Sequence, residues 1–192
     1  MKKINNWNNV QAISDRPQLP VNGYVCRIMD AKVVSYPTST GGTIEKLEIS
    51  IDVAEGEYKD FYANDYRTQT QEDKRWKGVL RLYVPQDDGT DLDNFSKRKL
   101  KSVTDAIEDS NNGFHWDWDE TALKNKMVGI VFRNEEWEFD GKSGFIARPF
   151  YATSVDAIRG GRFKIPAEKL VDKNKVSNTN KQDNLNDVEI PF

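Results

Sequence analysis

The sequence is poor in the residues from which reactive centres are most often assembled: 192 residues include one cysteine and one histidine. With Cys26 alone no internal disulfide can form, and Cys26 with His115 can build neither a Cys/His zinc cluster nor a two-histidine metalloprotease helix. Nucleophile triads would rest on that single histidine, and no GxGxxG or GxxxxGK[ST] phosphate loop occurs. Long apolar runs are missing as well. Nothing approaches the ~18 residues of a membrane span, and Met1–Trp7 leads into no apolar leader segment. These absences predict a cytoplasmic chain with no membrane partner, cofactor, metal or catalytic residues. There is no excess of positive charge either. Twenty-eight basic against 31 acidic residues give a net charge of −3, which excludes a uniformly basic nucleic-acid coat.

The charge that is present is uneven. Asp105–Glu120 holds six acids and no Lys or Arg, whereas Arg148–Lys164 carries four basic residues against Asp156 alone. At roughly 100–200 residues per domain, the length fits one compact domain with a tail. Residues 1–20, with Asn5, Asn6, Asn8, Asn9, Pro17 and Pro20, read as an irregular arm from which Trp7 and Val10 can dock. Residues 21–166 read as the domain and 167–192 as a disordered tail. Its last 21 residues contain five asparagines and no aromatic before Phe192, too little apolar surface to offset the entropy of ordering.

Within the domain, Tyr24–Tyr36 is rich in strand formers and runs into the loop chemistry of Pro37–Gly42. Leu47, Ile49, Ile51 and Val53 then alternate with Glu48, Ser50 and Asp52, the period-two signature of a half-buried strand. The Lys59–Gln71 stretch is compatible with a short helix or a long loop. Leu80, Leu82 and Val84 oppose Val79, Arg81 and Tyr83 in a third strand. Leu100, Val103 and Ile107 recur at helical spacing, with Asp93 or Asn94 as N-cap and Asn111–Gly113 as the stop, which predicts a helix over Asn94–Ser110. A one-turn helix can open after Trp116–Glu120. Two further strands follow, Met127–Glu138 and Phe145–Val155, joined through Asp140–Gly144. The order strand, strand, strand, helix, strand, strand is that of the OB-fold, so the fold expected is mainly β: a five-stranded, partly open barrel with a helix between strands 3 and 4.

Two candidate chemistries remain. Asp117, Asp119 and Glu120 have the oxygen ligands a magnesium-dependent nuclease needs, but carboxylates at the start of a short helix also complement its dipole, and that reading is preferred. His115, beside Trp116, reads as a satisfied structural histidine, and the run Lys97–Lys101 as a solvated helix face. The stronger pattern is cations beside aromatic rings, the pair needed to follow phosphates and stack bases of a single strand. Lys74, Arg75, Trp76 and Lys77 lead into Arg81 and Tyr83; Arg133 precedes Trp137; Arg148 precedes Phe150 and Tyr151; Arg159, Arg162 and Lys164 surround Phe163. With Arg27 on the first strand, the expected contacts are Arg27, Lys74, Arg75, Trp76, Lys77, Arg81, Tyr83, Arg133, Trp137, Arg148 and Tyr151, with Trp76, Tyr83, Trp137 and Tyr151 stacking. On an OB barrel these strands would form one stripe.

The closing residues Asp187–Phe192 resemble the C-terminal tip of bacterial single-stranded DNA-binding proteins, an acidic segment ending in Ile-Pro-Phe. A terminal Phe192 can fill an apolar pocket while Asp187, Glu189 and the α-carboxylate meet a basic rim, with Ile190 and Pro191 shaping the approach. Val188 stands where that tip usually has another acid. The body, over roughly Leu19–Pro166, resembles a family of phage and prophage single-stranded DNA-binding proteins of Gram-positive hosts. The similarity lies in Asn22–Ile28, Ile51–Gly56, Trp116–Asp119, Met127–Gly129 and Ser154–Arg159 continuing to Phe163–Pro166. The resemblance implies an OB-fold, a non-enzymatic role in phage replication or recombination inside a bacterial cell, and recruitment of replication or recombination proteins by the tip; homo-oligomerisation stays open. The other reading is an interaction module whose barrel binds a host or phage replication protein through the same Arg- and Trp-rich surface.

Overall fold

The computed structural model describes residue 5 and residues 17–38, 41–139 and 141–171. Most of the expected arm and tail, including Trp7, Val10 and the whole tip Asp187–Phe192, lies outside the described residues.

Five strands form one antiparallel sheet: β1 (Gly23–Pro37), β2 (Thr43–Val53), β3 (Val79–Tyr83), β4 (Met127–Phe139) and β5 (Lys142–Thr153), in the order β3-β2-β1-β4-β5. No hydrogen-bonded pairing closes β3 onto β5 among the described residues. The alternation read in β2 is realised: Leu47, Ile49, Ile51 and Val53 are buried, and they pack with Cys26 and Ile28 of β1, Leu80 and Leu82 of β3, and Val128, Ile130 and Phe132 of β4. Burial pushes the Cys26 thiol far above its ordinary pKa, so this cysteine is a small core residue with no thiolate to react.

Three helices attach to this sheet. The first, α1 (Phe61–Thr68), occupies the stretch that sequence left between helix and loop. Its N-cap Asp60 makes no side-chain cap bond; instead the buried Asp52 carboxylate of β2 accepts from Tyr62 N (2.9 Å), Ala63 N (3.0 Å) and Val53 N (2.9 Å). A strand residue thus satisfies the orphan donors of a helix start, a long-range cap that local pattern does not reveal. The second, α2 (Asp91–Ser110), lies between β3 and β4 and closes the core with Val103, Ala106 and Ile107.

The N-cap of α2 is Thr90, three or four residues before the expected Asp93 or Asn94. Asp93 is held inside the first turn, where it accepts from Gln86 N, Asp87 N and Gly89 N and pairs with Lys97 at 2.8 Å. The Lys97 ammonium and these amides hold the Asp93 pKa down at about 2. A carboxylate whose folded pKa lies below its unfolded value near 3.9 stabilises the fold above that value and stops doing so as pH falls through the folded one. Asp93→Asn should therefore melt below wild type at pH 7, with the gap closing as the pH is lowered from about 4 to 2. Equal gaps at pH 7 and pH 2.5 in a calorimetric series would remove this account of Asp93.

The third helix, α3 (Val155–Arg159), was not expected; β5 ends at Thr153 and Ser154 caps the new turn by accepting from Ala157 N. It covers the outer side of β4. Val131, on the face opposite Ile130, is fully buried in consequence, and a Cβ at Gly129 would lie 2.5 Å from Ile158 Cγ1. Only glycine allows that approach. A 3-10 turn, Glu120–Leu123, stands where the one-turn helix was read, and Asp119 caps it by accepting from Thr121 N at 2.9 Å. Asp119 is thereby engaged in local structure. His115 is exposed rather than packed, its Nδ1 3.0 Å from Glu108 Oε1.

The expected tail starts too early. Glu136 N donates to Lys169 O (2.8 Å), Lys169 N to Asn134 O (2.9 Å) and Val171 N to the Glu136 carboxylate (3.0 Å), so residues 168–171 dock as a short parallel bridge on the edge of β4. Beyond Val131 that edge is no longer paired with β1, which leaves backbone groups that the passing chain satisfies.

Candidate nucleic-acid interface

Register decides which of the sequence's cations and rings meet. On the outward face, β1, β2 and β3 align Lys32 with Glu48 and Arg81 in one row, and Val34 with Lys46 and Tyr83 in the next. Side chains directly opposite on antiparallel strands stand about 4.5–5.5 Å apart at Cβ, so these rows form one surface. Tyr36, two residues beyond Val34 on β1, reaches back along this face: its hydroxyl donates to Glu48 Oε1 at 2.5 Å. Arg81 Nε donates to the same oxygen at 2.7 Å. Between the two tyrosines lies Lys46, its ammonium 4.8 Å from the Tyr83 ring centroid and 5.5 Å from that of Tyr36. Both distances are within cation–π range.

With Tyr36, these two rows hold three cations and one anion together with two rings, and the exposed Asp30, opposite Ser50, adds a second acid in the row beyond Lys32. Burial works against the charge of Glu48, but the Tyr36 hydroxyl, Arg81 and Lys32 outweigh it and hold its pKa below the ordinary carboxylate value. Burial also opposes the charge on Arg81, and Glu48 more than compensates, so the guanidinium stays charged. Burial and the neighbouring carboxylate both push the Tyr36 phenol up, so it stays neutral. At neutral pH these two rows thus carry two positive charges more than negative ones, with neutral rings between them.

Of the residues singled out from sequence, the structure gathers Arg81 and Tyr83 here and puts Arg27 exposed on the same outward face, at the other end of β1. Lys32, Tyr36, Lys46 and Glu48 were missed. The alternation of β2 marked Glu48 as outward, but nothing local said that Lys46 stands beside it or that Tyr36 and Tyr83 flank them.

The run Lys74–Lys77, in the connection from α1 to β3, is largely engaged in local contacts. Arg75 pairs with Asp73 (2.9 Å), Lys77 with Asp65 (3.0 Å), and the Lys74 ammonium sits 5.7 Å from the Tyr66 ring. Trp76 donates its indole N–H to Ile51 O (2.9 Å) and packs its half-buried ring on the core and beside Tyr66.

A second cluster lies on the long β4–β5 hairpin. Arg133 and Arg148 are cross-strand partners, and Glu135 bridges them at 2.7 and 3.4 Å. Arg133 also stacks its guanidinium 4.2 Å from the Phe150 centroid. Further along the same face Trp137 lies across Gly144, 40% exposed, followed by Phe139 at 78%. Tyr151 is tied to the chain after α3, its hydroxyl donating to Lys164 O (3.0 Å) and accepting from Lys164 N (3.2 Å). Arg159 pairs with Glu55 and Phe163 packs over Gly23, so both act as fastenings of that segment. Among the described residues no group of three His, Cys, Asp or Glu side chains is placed to hold a metal ion, and no helix is long and apolar enough to cross a membrane. Compared with known proteins, the chain matches no protein-family model and no curated sequence.

Proposed function

We propose that this chain is a non-enzymatic single-stranded DNA-binding protein, and that the outward face of β1–β2–β3 is where the strand lies. The observation that carries this reading is the juxtaposition of Lys32, Lys46 and Arg81 with Tyr36 and Tyr83 on one face. Phosphates need cations at close intervals and unstacked bases need exposed rings. A duplex hides its base faces, so such a platform favours single strands. The sheet fits an OB-type, partly open barrel: its two edge strands, β3 and β5, approach within 8 Å between Cα atoms, and α2 lies between β3 and β4 in sequence. In OB-folds the face of strands 2 and 3 is the usual binding surface. The phage replication or recombination setting, in a bacterial cytoplasm, rests on the sequence resemblance described above. So does the role of Asp187, Glu189, Ile190, Pro191 and Phe192 as a hook for replication or recombination proteins.

The test is fluorescence anisotropy with labelled 30-mer oligothymidine and a 30-bp duplex across a salt series. The single strand should bind at least about tenfold more tightly, and log K should fall with log salt at a slope near −2, about −0.7 for each of three neutralised phosphates. Equal affinity for duplex, or no salt dependence, removes the proposal and leaves the protein-binding module as the better account.

A further inference from the structure

An acid at the centre of a phosphate-binding face calls for a reason, because it weakens the attraction the face is proposed to exert. Glu48 is not a rim residue: its side chain is 12% exposed, between Lys32 on β1 and Arg81 on β3. Both of its internal hydrogen bonds, from Tyr36 and Arg81, end on Oε1. Among the described residues Oε2 accepts none. The carboxylate is therefore fixed in orientation by two donors, charged, and left with one acceptor oxygen beside two aromatic rings on which bases can stack.

We propose that Glu48 makes the platform base-selective, its Oε2 accepting a hydrogen bond from the exocyclic amino group of a stacked base, so that cytosine is preferred to thymine. This rests on the single-strand reading above. Carboxylates pair with cytosine through its N4 amino group. Thymine presents O4 at the corresponding position, a carbonyl that the same carboxylate repels. The two pyrimidines have rings of similar size, so stacking separates them little, and the amino-for-carbonyl exchange carries the difference. The direction is informative, since the sequence preferences of non-specific single-strand binders arise from stacking and strand flexibility rather than from hydrogen-bond readout.

Competition anisotropy with unlabelled 20-mers of deoxycytidine and thymidine at pH 7.5 tests it on the full chain. Wild type should bind the cytidine strand about tenfold more tightly, the size expected of one partly exposed hydrogen bond to a charged acceptor. Glu48→Gln keeps the size of the side chain, removes the charge and supplies an amide N–H that suits thymine O4. Its cytidine-to-thymidine ratio should fall to about one or below, with thymidine affinity rising. Tyr36→Phe keeps the ring and frees Oε1 of one donor, so its ratio should equal or exceed that of wild type; this variant decides the matter if Glu48→Gln does not fold. Equal binding of the two strands by wild type, an unchanged ratio in Glu48→Gln, or a lower one in Tyr36→Phe overturns the proposal while leaving single-strand binding intact. Failure of wild type to bind either strand would instead defeat the underlying reading.

Discussion

Replacing Lys46 and Tyr83 together by alanine is expected to weaken oligothymidine binding by about a hundredfold, with little loss of fold stability. Losing one stacking ring costs ~1–3 kcal/mol per base. Removing one phosphate contact reduces the salt slope by about 0.7. A total near 3 kcal/mol is about two decades in affinity. Neither side chain belongs to the core, since β2 and β3 turn Leu47 and Leu82 inward and Lys46 and Tyr83 outward. Both side chains are half-buried and the cation–π contact between them is worth about 0.5–2 kcal/mol, so the shift in melting temperature stays small beside that of a core truncation. Isothermal titration together with thermal melting measures both quantities. An affinity within twofold of wild type would move the interface elsewhere, and the Arg133→Ala/Arg148→Ala pair shows where. Those arginines already share Glu135, and their loss should weaken binding by less than the platform pair does. The reverse order would assign the strand to the β4–β5 hairpin.

The strands of this fold were legible because each has a side that must be buried. Leu47, Ile49, Ile51 and Val53 announce β2 without help from any other segment. What sequence could not supply is what covers the other side. Val131 lies on the face opposite Ile130, and is buried because α3, which begins 24 residues further along after β5, packs against Gly129. The cap of α1 likewise comes from a different element, a carboxylate nine residues before the helix begins. The same limit governs the site. Adjacent letters such as Lys74–Lys77 suggest a basic cluster, yet their nearest acids, Asp73 and Asp65, engage Arg75 and Lys77 within the same connection. The platform arises from residues 36, 46 and 83, spaced so far apart that only strand register, with Lys46 opposite both Val34 and Tyr83, brings them together. Arg81 and Tyr83 were found because they alternate on one short strand; Tyr36 and Lys46 were not, because their neighbourhood is a property of pairing.

Trp76 and Tyr83 should respond to alanine in opposite ways. Both were read from sequence as stacking rings beside cations, but their surroundings differ in kind. Trp76 has its indole N–H committed to Ile51 O, and its ring packs against the core next to Tyr66. Fully buried Trp→Ala changes cost about 3–5 kcal/mol, and a half-buried ring with one hydrogen bond should cost roughly 2–3. Trp76→Phe retains most of the packing and loses the hydrogen bond, so it should cost about 1 kcal/mol. In neither variant should the folded protein's affinity for oligothymidine change by more than about twofold, because Trp76 lies outside the rows that hold Lys46 and Arg81. Tyr83→Ala is the mirror case: affinity falls by about tenfold, the low end of one base stack, while stability moves by less than about 2 kcal/mol. Urea denaturation and anisotropy on the same three preparations separate the two roles. Should Trp76→Ala lose affinity as Tyr83→Ala does while remaining as stable as wild type, the strand must pass over the α1–β3 connection and the platform would have to extend to Lys74 and Lys77.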